Sequence, residues 1–152
     1  MIFYSIFIMN CDFCNSKEMT SRSFIETKNE YGIYSNIPLA EGHSLVIPKK
    51  HVVSIRELSD TDIASLFKTV RIAAKKLNKI YRAEGMNFAF NEGDVAGQRI
   101  PHLHIHIIPR KKGDVKIDPR NLFYREERKR KKLNNDQMNE IVSSLKKKFK
   151  KV

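Results

Sequence analysis

A chain of 152 residues is long enough for one domain with a sizeable hydrophobic core. Its composition, 41% hydrophobic and 30% charged, is typical of a soluble globular protein with a strongly charged surface. The net charge of +12 favours polyanionic partners or phosphorylated substrates. Two cysteines in a closely spaced pair argue against a disulfide framework.

The first nine residues, MIFYSIFIM, are apolar but too short to cross a bilayer. They also lack the basic start and the small-residue cleavage site of a signal peptide. We expect a buried segment or a hydrophobic partner surface there. The chain as a whole is therefore expected to be cytoplasmic, with no membrane partner.

Alternating patterns and turn residues predict five strands, at residues 23–28, 31–36, 43–48, 86–90 and 102–108. Ser59 and Asp62 resemble a capping box, and apolar residues at helical spacing follow up to Gly85. Asn134 or Asn135 can cap a last helix. Its apolar stripe, suited to core or dimer packing, contains Met138, Ile141, Val142, Leu145 and Phe149. This order of elements predicts an α+β fold with an antiparallel sheet.

Three of the five histidines lie in the last predicted strand, at every second position. Successive side chains leave a strand on opposite faces, so His102, His104 and His106 share one face. The aliphatic residues between them, Leu103, Ile105 and Ile107, share the other. A merely solvated face would more often carry Lys, Thr or Glu. This face is therefore predicted to carry chemistry, as nucleophile, general acid or base, or metal ligand.

Cys11 and Cys14 form a Cys-Asp-Phe-Cys motif. A redox pair, two free thiols and half of a metal site are the alternatives. A redox pair would normally open a helix after a strand of a βαβ unit, and no such context is visible. Half of a zinc site is the preferred interpretation, with its other ligands among the histidines.

Two further features concern anions. Gly93 and Gly97 bracket a loop that can bring backbone N–H groups close to a phosphate. Residues 125–132 and 146–151 hold much of the positive charge. Such runs are more often solvated helix faces than nucleic-acid readers, so we expect only weak, non-specific nucleic-acid binding.

Three motifs together resemble the histidine triad (HIT) family of nucleotide hydrolases and transferases, in its zinc-containing branch. They are GHSLVIPKKH at residues 42–51, NEG through GQ at 91–98, and HLHIHIIPR at 102–110. The resemblance implies one HIT domain over residues 1–152. Its core runs from about 11 to 110, followed by a C-terminal extension, 111–152, with a basic helix. It also implies a five-stranded antiparallel sheet with two main helices, and a homodimer whose sheets join.

The resemblance also implies a reaction at the α-phosphorus of a nucleotide. His104 would be the nucleophile that takes up the nucleotidyl group, with His106 and Gln98 assisting. The nucleotide-binding residues would be Asn36, Ile37, His43, Asn91, Gln98, His104 and His106. The implied substrates are purine nucleoside phosphoramidates or dinucleoside polyphosphates. The third histidine favours hydrolysis, since transferase branches commonly have Gln there.

Relatives with an early Cys-x-x-Cys bind zinc, and the matching positions here are Cys11, Cys14, His51 and His102. This Cys2His2 set is suited to structural Zn²⁺. Two departures from the family pattern stand out. Arg99 replaces a small hydroxyl residue, and Asn36 replaces an acidic ribose contact.

Two other functions compatible with the sequence remain. In the first, the three strand histidines bind one catalytic metal that activates water, which would leave the cysteines without partners. In the second, the chain is a non-catalytic module that binds nucleotides or nucleic acid through its basic C-terminal region.

Overall fold

The computed structural model describes residues 11–114 and 130–151. Its centre is a five-stranded sheet in the order β1-β2-β3-β5-β4, with every neighbouring pair antiparallel. The strands are β1 (Ser23–Glu26), β2 (Glu30–Tyr34), β3 (Ser44–Pro48), β4 (Gly85–Ala89) and β5 (Ile105–Arg110). The predicted α+β class and five-stranded antiparallel sheet are confirmed. The predictions for residues 1–9 and for most of the basic run 125–132 lie outside the described residues.

Three α-helices accompany the sheet: α1 (Ser16–Arg22), α2 (Asp60–Tyr81) and α3 (Asn135–Lys151). The capping box predicted at Ser59 is present, because its hydroxyl accepts from the backbone N–H of Asp62 while the Asp62 carboxylate accepts from that of Ser59. At the start of α3, the Asn134 side chain accepts from the backbone N–H of Gln137 at 2.9 Å. The two long helices match the prediction, whereas the short α1 was not predicted. No helix of the described ranges is long and apolar enough to cross a membrane.

The main hydrophobic core lies between one face of the sheet and helices α2 and α3. Four residues of the predicted α3 stripe are buried in it: Met138, Val142, Leu145 and Phe149. The aliphatic residues of the histidine motif, Leu103, Ile105 and Ile107, enter the same core at 0–2% exposure. The α3 stripe therefore serves the core of the protomer.

A second hydrophobic cluster covers part of the opposite face of the sheet. Phe13 and Met19, from the N-terminal loop and α1, pack there with residues of β2 and β3. The N-terminal segment thus borders the face on which the histidines lie.

β5 begins three residues later than predicted. His102 to His104 precede it, because β3 pairs with β5 only from Ile105 to Ile107. Leu103 is instead held from outside the sheet, since its N–H donates to the carbonyl of Val52 at 2.7 Å. β5 also continues through Pro109 to Arg110, where, among the described strands, only β4 pairs with it, so the missing proline N–H is tolerated.

Candidate active site and metal centre

A cavity of about 520 Å³ opens beside β5 on the histidine face. Six of the seven predicted nucleotide-binding residues line it: Asn36, Ile37, His43, Asn91, His104 and His106. They come from the loop after β2, from the residue just before β3, from the loop after β4 and from the histidine motif. Folding therefore brings to one place residues that are up to seventy positions apart in the sequence.

Gln98 does not line the cavity itself, although its neighbours Gly97 and Arg99 do. The Gln98 residue is 5% exposed. Its Oε1 accepts from Gly93 N–H at 2.8 Å, and its Nε2 donates to the carbonyl of Val53 at 2.9 Å. Glu92 adds a second tie, because its carboxylate accepts from the N–H of Ile55 at 2.9 Å. These bonds give Gln98 a place in anchoring the 91–98 loop.

The His104 ring is held in one tautomer. Its Nδ1 lies 2.7 Å from the backbone carbonyl of His102. A carbonyl oxygen can only accept, so Nδ1 carries the proton and Nε2 of the neutral ring carries the lone pair. Phe13 packs against this ring with the centroids 5.2 Å apart. The arrangement presents one defined nucleophilic nitrogen.

His43 and His106 form a relay of hydrogen bonds that we call the histidine relay. The N–H of Leu39 donates to His43 Nδ1 at 3.0 Å, which places the His43 proton on Nε2. His43 Nε2 is 2.9 Å from His106 Nδ1 and donates to it. The His106 proton is therefore on Nε2, the nitrogen that can donate to a ligand.

Both rings of the relay are neutral near pH 7. Burial, and to a smaller extent the positive charge of Arg130, lower the pKa of His43 to about 3. Burial, and to a smaller extent the neighbouring His43, lower the pKa of His106 to about 2. Neutrality preserves the single-proton tautomers. The His104 and His106 rings lie 5.0 Å apart, so a lone pair and an N–H donor stand side by side at the cavity.

The four predicted metal ligands converge. The candidate ligand atoms of Cys11, Cys14, His51 and His102 all lie within 4.8 Å of one another. Sulfur-to-Nδ1 distances of 3.2 Å for Cys14–His51, 3.4 Å for Cys11–His102 and 3.6 Å for Cys14–His102 approach the separation of about 3.6 Å expected around tetrahedral zinc. The residues therefore fit a Cys2His2 zinc site.

The surroundings of the cluster suit a metal as well. His102 Nε2 donates to the carbonyl of Pro48 at 2.9 Å, which leaves Nδ1 as the ligand nitrogen. Burial lowers the pKa of His102 to about 4, which keeps its ring neutral. Burial and the hydrogen bond to Cys11 raise the pKa of Cys14 to about 11, so a metal ion would have to displace the thiol proton.

Sequence reasoning missed several residues of the cavity wall, namely Phe13, Arg22, Arg130 and Lys132. Phe13 lies between Cys11 and Cys14. When both cysteines lie beside His102, Phe13 comes near His104, which is two residues further along the chain. Arg22 is buried, with Nη1 paired to Glu18 at 3.2 Å and Nη2 donating to the carbonyl of Tyr34 at 3.1 Å. Arg130 and Lys132 belong to a basic run that was interpreted as a solvated helix face.

The HIT domain family model matches residues 16–113, close to the core expected at 11–110. This chain belongs to the HIT family. The three motifs supply four of the six lining residues, His43, Asn91, His104 and His106, and both histidine ligands of the metal cluster. Arg130 and Lys132 come from beyond the matched range.

Relatives and solved HIT structures agree with this assignment. The asymmetrical bis(5'-nucleosyl)-tetraphosphatase of Schizosaccharomyces pombe is 37% identical over 94 residues. The match covers 62% of this chain and 52% of that protein, so the chain spans about half of its relative's length. A hypothetical histidine triad nucleotide-binding protein from Sulfolobus tokodaii has a TM-score of 0.76 at 28% identity, covering 93% of both chains. A zinc-bound histidine triad family protein from Mycobacterium smegmatis has a TM-score of 0.72 at 26% identity, covering 95% of this chain and 96% of that one.

Proposed function

We propose that this HIT protein is a nucleotide hydrolase that cleaves at the α-phosphate of dinucleoside polyphosphates or purine nucleoside phosphoramidates. The observation that carries the proposal is the pair of fixed tautomers at the cavity. His104 Nδ1 is bonded to the His102 carbonyl, and His106 Nδ1 accepts from His43. One ring therefore offers a lone pair on Nε2 while the other offers an N–H donor. The name of the S. pombe relative supports a nucleotide substrate with several phosphates.

The chemistry follows from these roles. His104 Nε2 attacks the α-phosphorus, a P–N bond forms, and the bond to the leaving group breaks with its electron pair going to that group. His106 Nε2–H donates to a phosphate oxygen, where negative charge must be stabilised. Asn91 and the 91–98 loop, which Gln98 holds, position the phosphate. Water then attacks the nucleotidyl-histidine, releasing the nucleoside monophosphate and restoring His104.

The experiment that tests this proposal is the intact mass of the protein after rapid acid-free quenching with diadenosine tetraphosphate. The wild type is expected to gain the mass of one adenylyl group transiently, whereas His104→Ala gains none and does not turn over. Binding of AMP by His104→Ala serves as the control for folding. Turnover that persists in this variant would remove His104 as the nucleophile.

Structural zinc accompanies the proposal. Cys11, Cys14, His51 and His102 would hold the ion, and a closed set of four protein ligands leaves no open position for substrate. The ion would tie the N-terminal loop to the segment before β5. The alternative in which all three strand histidines bind one catalytic metal is less favoured, because Nδ1 of His102 lies among the two sulfurs and its Nε2 is bonded to Pro48.

A homodimer is also proposed. β4 lies at the edge of the sheet, and an apolar groove of about 530 Å³ runs beside it. Phe67 of α2, Phe88 and Phe90 line this groove at 44%, 52% and 38% exposure, which is unusual for aromatic side chains on a monomer surface. Light scattering should give the mass of a dimer, and Phe88→Asp should give a monomer that still folds. A monomeric wild type would contradict the proposal.

The remaining proposals concern organisation and location. One HIT domain is proposed for the whole chain, supported by the burial of the apolar stripe of α3 in the main core. A cytoplasmic location is proposed as well, in keeping with Cys11 and Cys14 being free cysteines that form no disulfide. The exposed lysines of α3 would give only weak binding to nucleic acid, with a strong dependence on salt.

A further inference from the structure

The segment that precedes α3 returns to the cavity and forms part of its wall. The N–H of Leu133 donates to the carbonyl of Asn36 at 2.9 Å, and the Leu133 side chain packs against the main core. Immediately after it, Asn134 caps α3. The backbone just before α3 is therefore fixed at the loop after β2, where two of the proposed nucleotide-binding residues lie.

Two cationic side chains of this segment, Arg130 and Lys132, line the cavity. We call them the cationic wall. Arg130 Nη1 donates to the carbonyl of Ile37 at 3.4 Å. Its charge also lies close enough to His43 and His106 to contribute to the lowering of their pKa values. Arg130 is thus near the relay that ends at the proposed phosphate donor.

Among the described residues, the cavity is lined by more cationic than acidic side chains. Its lining contains four cationic side chains, Arg22, Arg99, Arg130 and Lys132, and two acidic ones, Asp12 and Glu18. Arg99 and the cationic wall line the same cavity, and a nucleoside phosphoramidate would bring only a single phosphate to these three side chains. A dinucleoside polyphosphate has a longer chain of negative charge that matches this lining.

We propose that Arg130 and Lys132 bind the polyphosphate chain of the substrate and make this protein selective for dinucleoside polyphosphates over nucleoside phosphoramidates. The inference rests on the proposed hydrolase function and names the substrate class of that site. The residues concerned lie beyond the range of the HIT domain model, 16–113. Selectivity is thus supplied by the C-terminal extension, whereas the range matched by the HIT domain model, 16–113, supplies the chemistry.

The test compares diadenosine tetraphosphate with adenosine phosphoramidate in the full-length protein. The double change Arg130→Ala with Lys132→Ala should lower kcat/KM for the tetraphosphate by about tenfold to a hundredfold, through KM, since two charge-assisted contacts are lost. For the phosphoramidate, kcat/KM should change by less than about threefold. The single change Lys132→Arg keeps the positive charge, so this variant should retain most of the wild-type kcat/KM for the tetraphosphate.

The chain offers a matched control in Lys131, an exposed lysine that is next to the wall but not among the lining residues. Lys131→Ala should leave both substrates unaffected. Arg130→Lys, tested beside Arg130→Ala, separates loss of charge from loss of folding. The dependence of kcat/KM on salt should be steeper for the wild type than for the double variant.

Equal loss for both substrates would overturn the inference, and so would an unchanged tetraphosphate KM. The proposed function fails differently, through a wild type that hydrolyses neither substrate. In that case, binding of diadenosine tetraphosphate still decides the role of the wall. The double variant should bind it about tenfold or more weakly than the wild type does, and equal binding would refute the proposal.

Discussion

His43 provides the sharpest test of the histidine relay. It is 2% exposed, accepts from Leu39 N–H through Nδ1 and donates to His106 through Nε2. Asn and Gln can each replace one of the two ring nitrogens of His43. The Asn oxygen can accept in place of Nδ1, and the Gln amide nitrogen can donate in place of Nε2. His43→Gln should keep the donor to His106. His43→Asn should keep the bond to Leu39 and lose the donor.

The magnitude follows from the tautomer of His106. Without a donor at Nδ1, that ring can place its proton there, and Nε2 then no longer donates to phosphate. Removal of one such donor costs roughly 2.7–4 kcal/mol in the transition state, or about 10²–10³ in kcat. We therefore expect His43→Asn to lose about a hundredfold or more in kcat, and His43→Gln to stay within about tenfold of the wild type.

The assay is kcat at saturating diadenosine tetraphosphate, with the melting temperature of each variant as the control for folding. Both variants replace the ring by a smaller open side chain, Asn being one heavy atom smaller than Gln, so a general packing defect would affect both and would appear in the melting temperature. A His43→Asn protein as active as His43→Gln would refute the relay. If His43→Asn is inactive but also unfolded, His106→Asn takes its place. Its side-chain oxygen can still accept from His43 as Nδ1 of His106 does, but it lacks the N–H donor of Nε2.

Three further predictions concern stability and metal content. Below a pH of about 6.5, the two relay histidines bind a proton in the unfolded chain but stay neutral in the folded protein, where their pKa values are about 3 and 2. The free energy of unfolding should therefore fall by about 1.4 kcal/mol per pH unit for each ring as the pH drops from about 6.5 towards those pKa values. Urea unfolding at pH 7, 6 and 5 measures this slope, and His106→Gln should make it shallower. Gly42→Ala should lower the free energy of unfolding by about 2–4 kcal/mol, because φ is +86° and a Cβ would lie 2.7 Å from the ring of Tyr81. Gly85→Ala, with no atom within 4 Å of its Cβ, is the control, and equal losses would contradict the argument. Cys14→Ala should lower the zinc content, measured by elemental analysis, and the melting temperature, whereas kcat should be less affected. An unchanged number of zinc ions per protein would count against the site.

The histidine face shows what local pattern can predict. Side chains alternate across extended backbone whether or not the sheet is formed, so His104 and His106 could be placed opposite Ile105 and Ile107 from spacing alone. The same pattern put the start of β5 three residues too early, at His102. The start of β5 depends on where its pairing with β3 begins, at Ile105 opposite Val46, and the pairing of two strands is not visible in the alternation of one segment.

Gln98 shows the limit for a single side chain. The resemblance implies a role for it at the phosphate, and in the fold its amide also bonds to the backbone of Gly93 and Val53. A carboxamide can bind a ligand or anchor a loop equally well. Which of the two it does is decided by the backbone groups that surround it.

The sequence by itself determined the antiparallel α+β class, the two long helices with their caps, the Cys2His2 set and the histidine motif. Each depends on residue type at short spacing or on a motif kept in order along the chain. Only the tertiary structure decided the tautomers of His104 and His106 and the return of Arg130 and Lys132 to the cavity. These depend on contacts between segments far apart in sequence. A basic run looks the same in the sequence whether it faces water or a substrate, because its charge carries no information about the surface that folding places beside it.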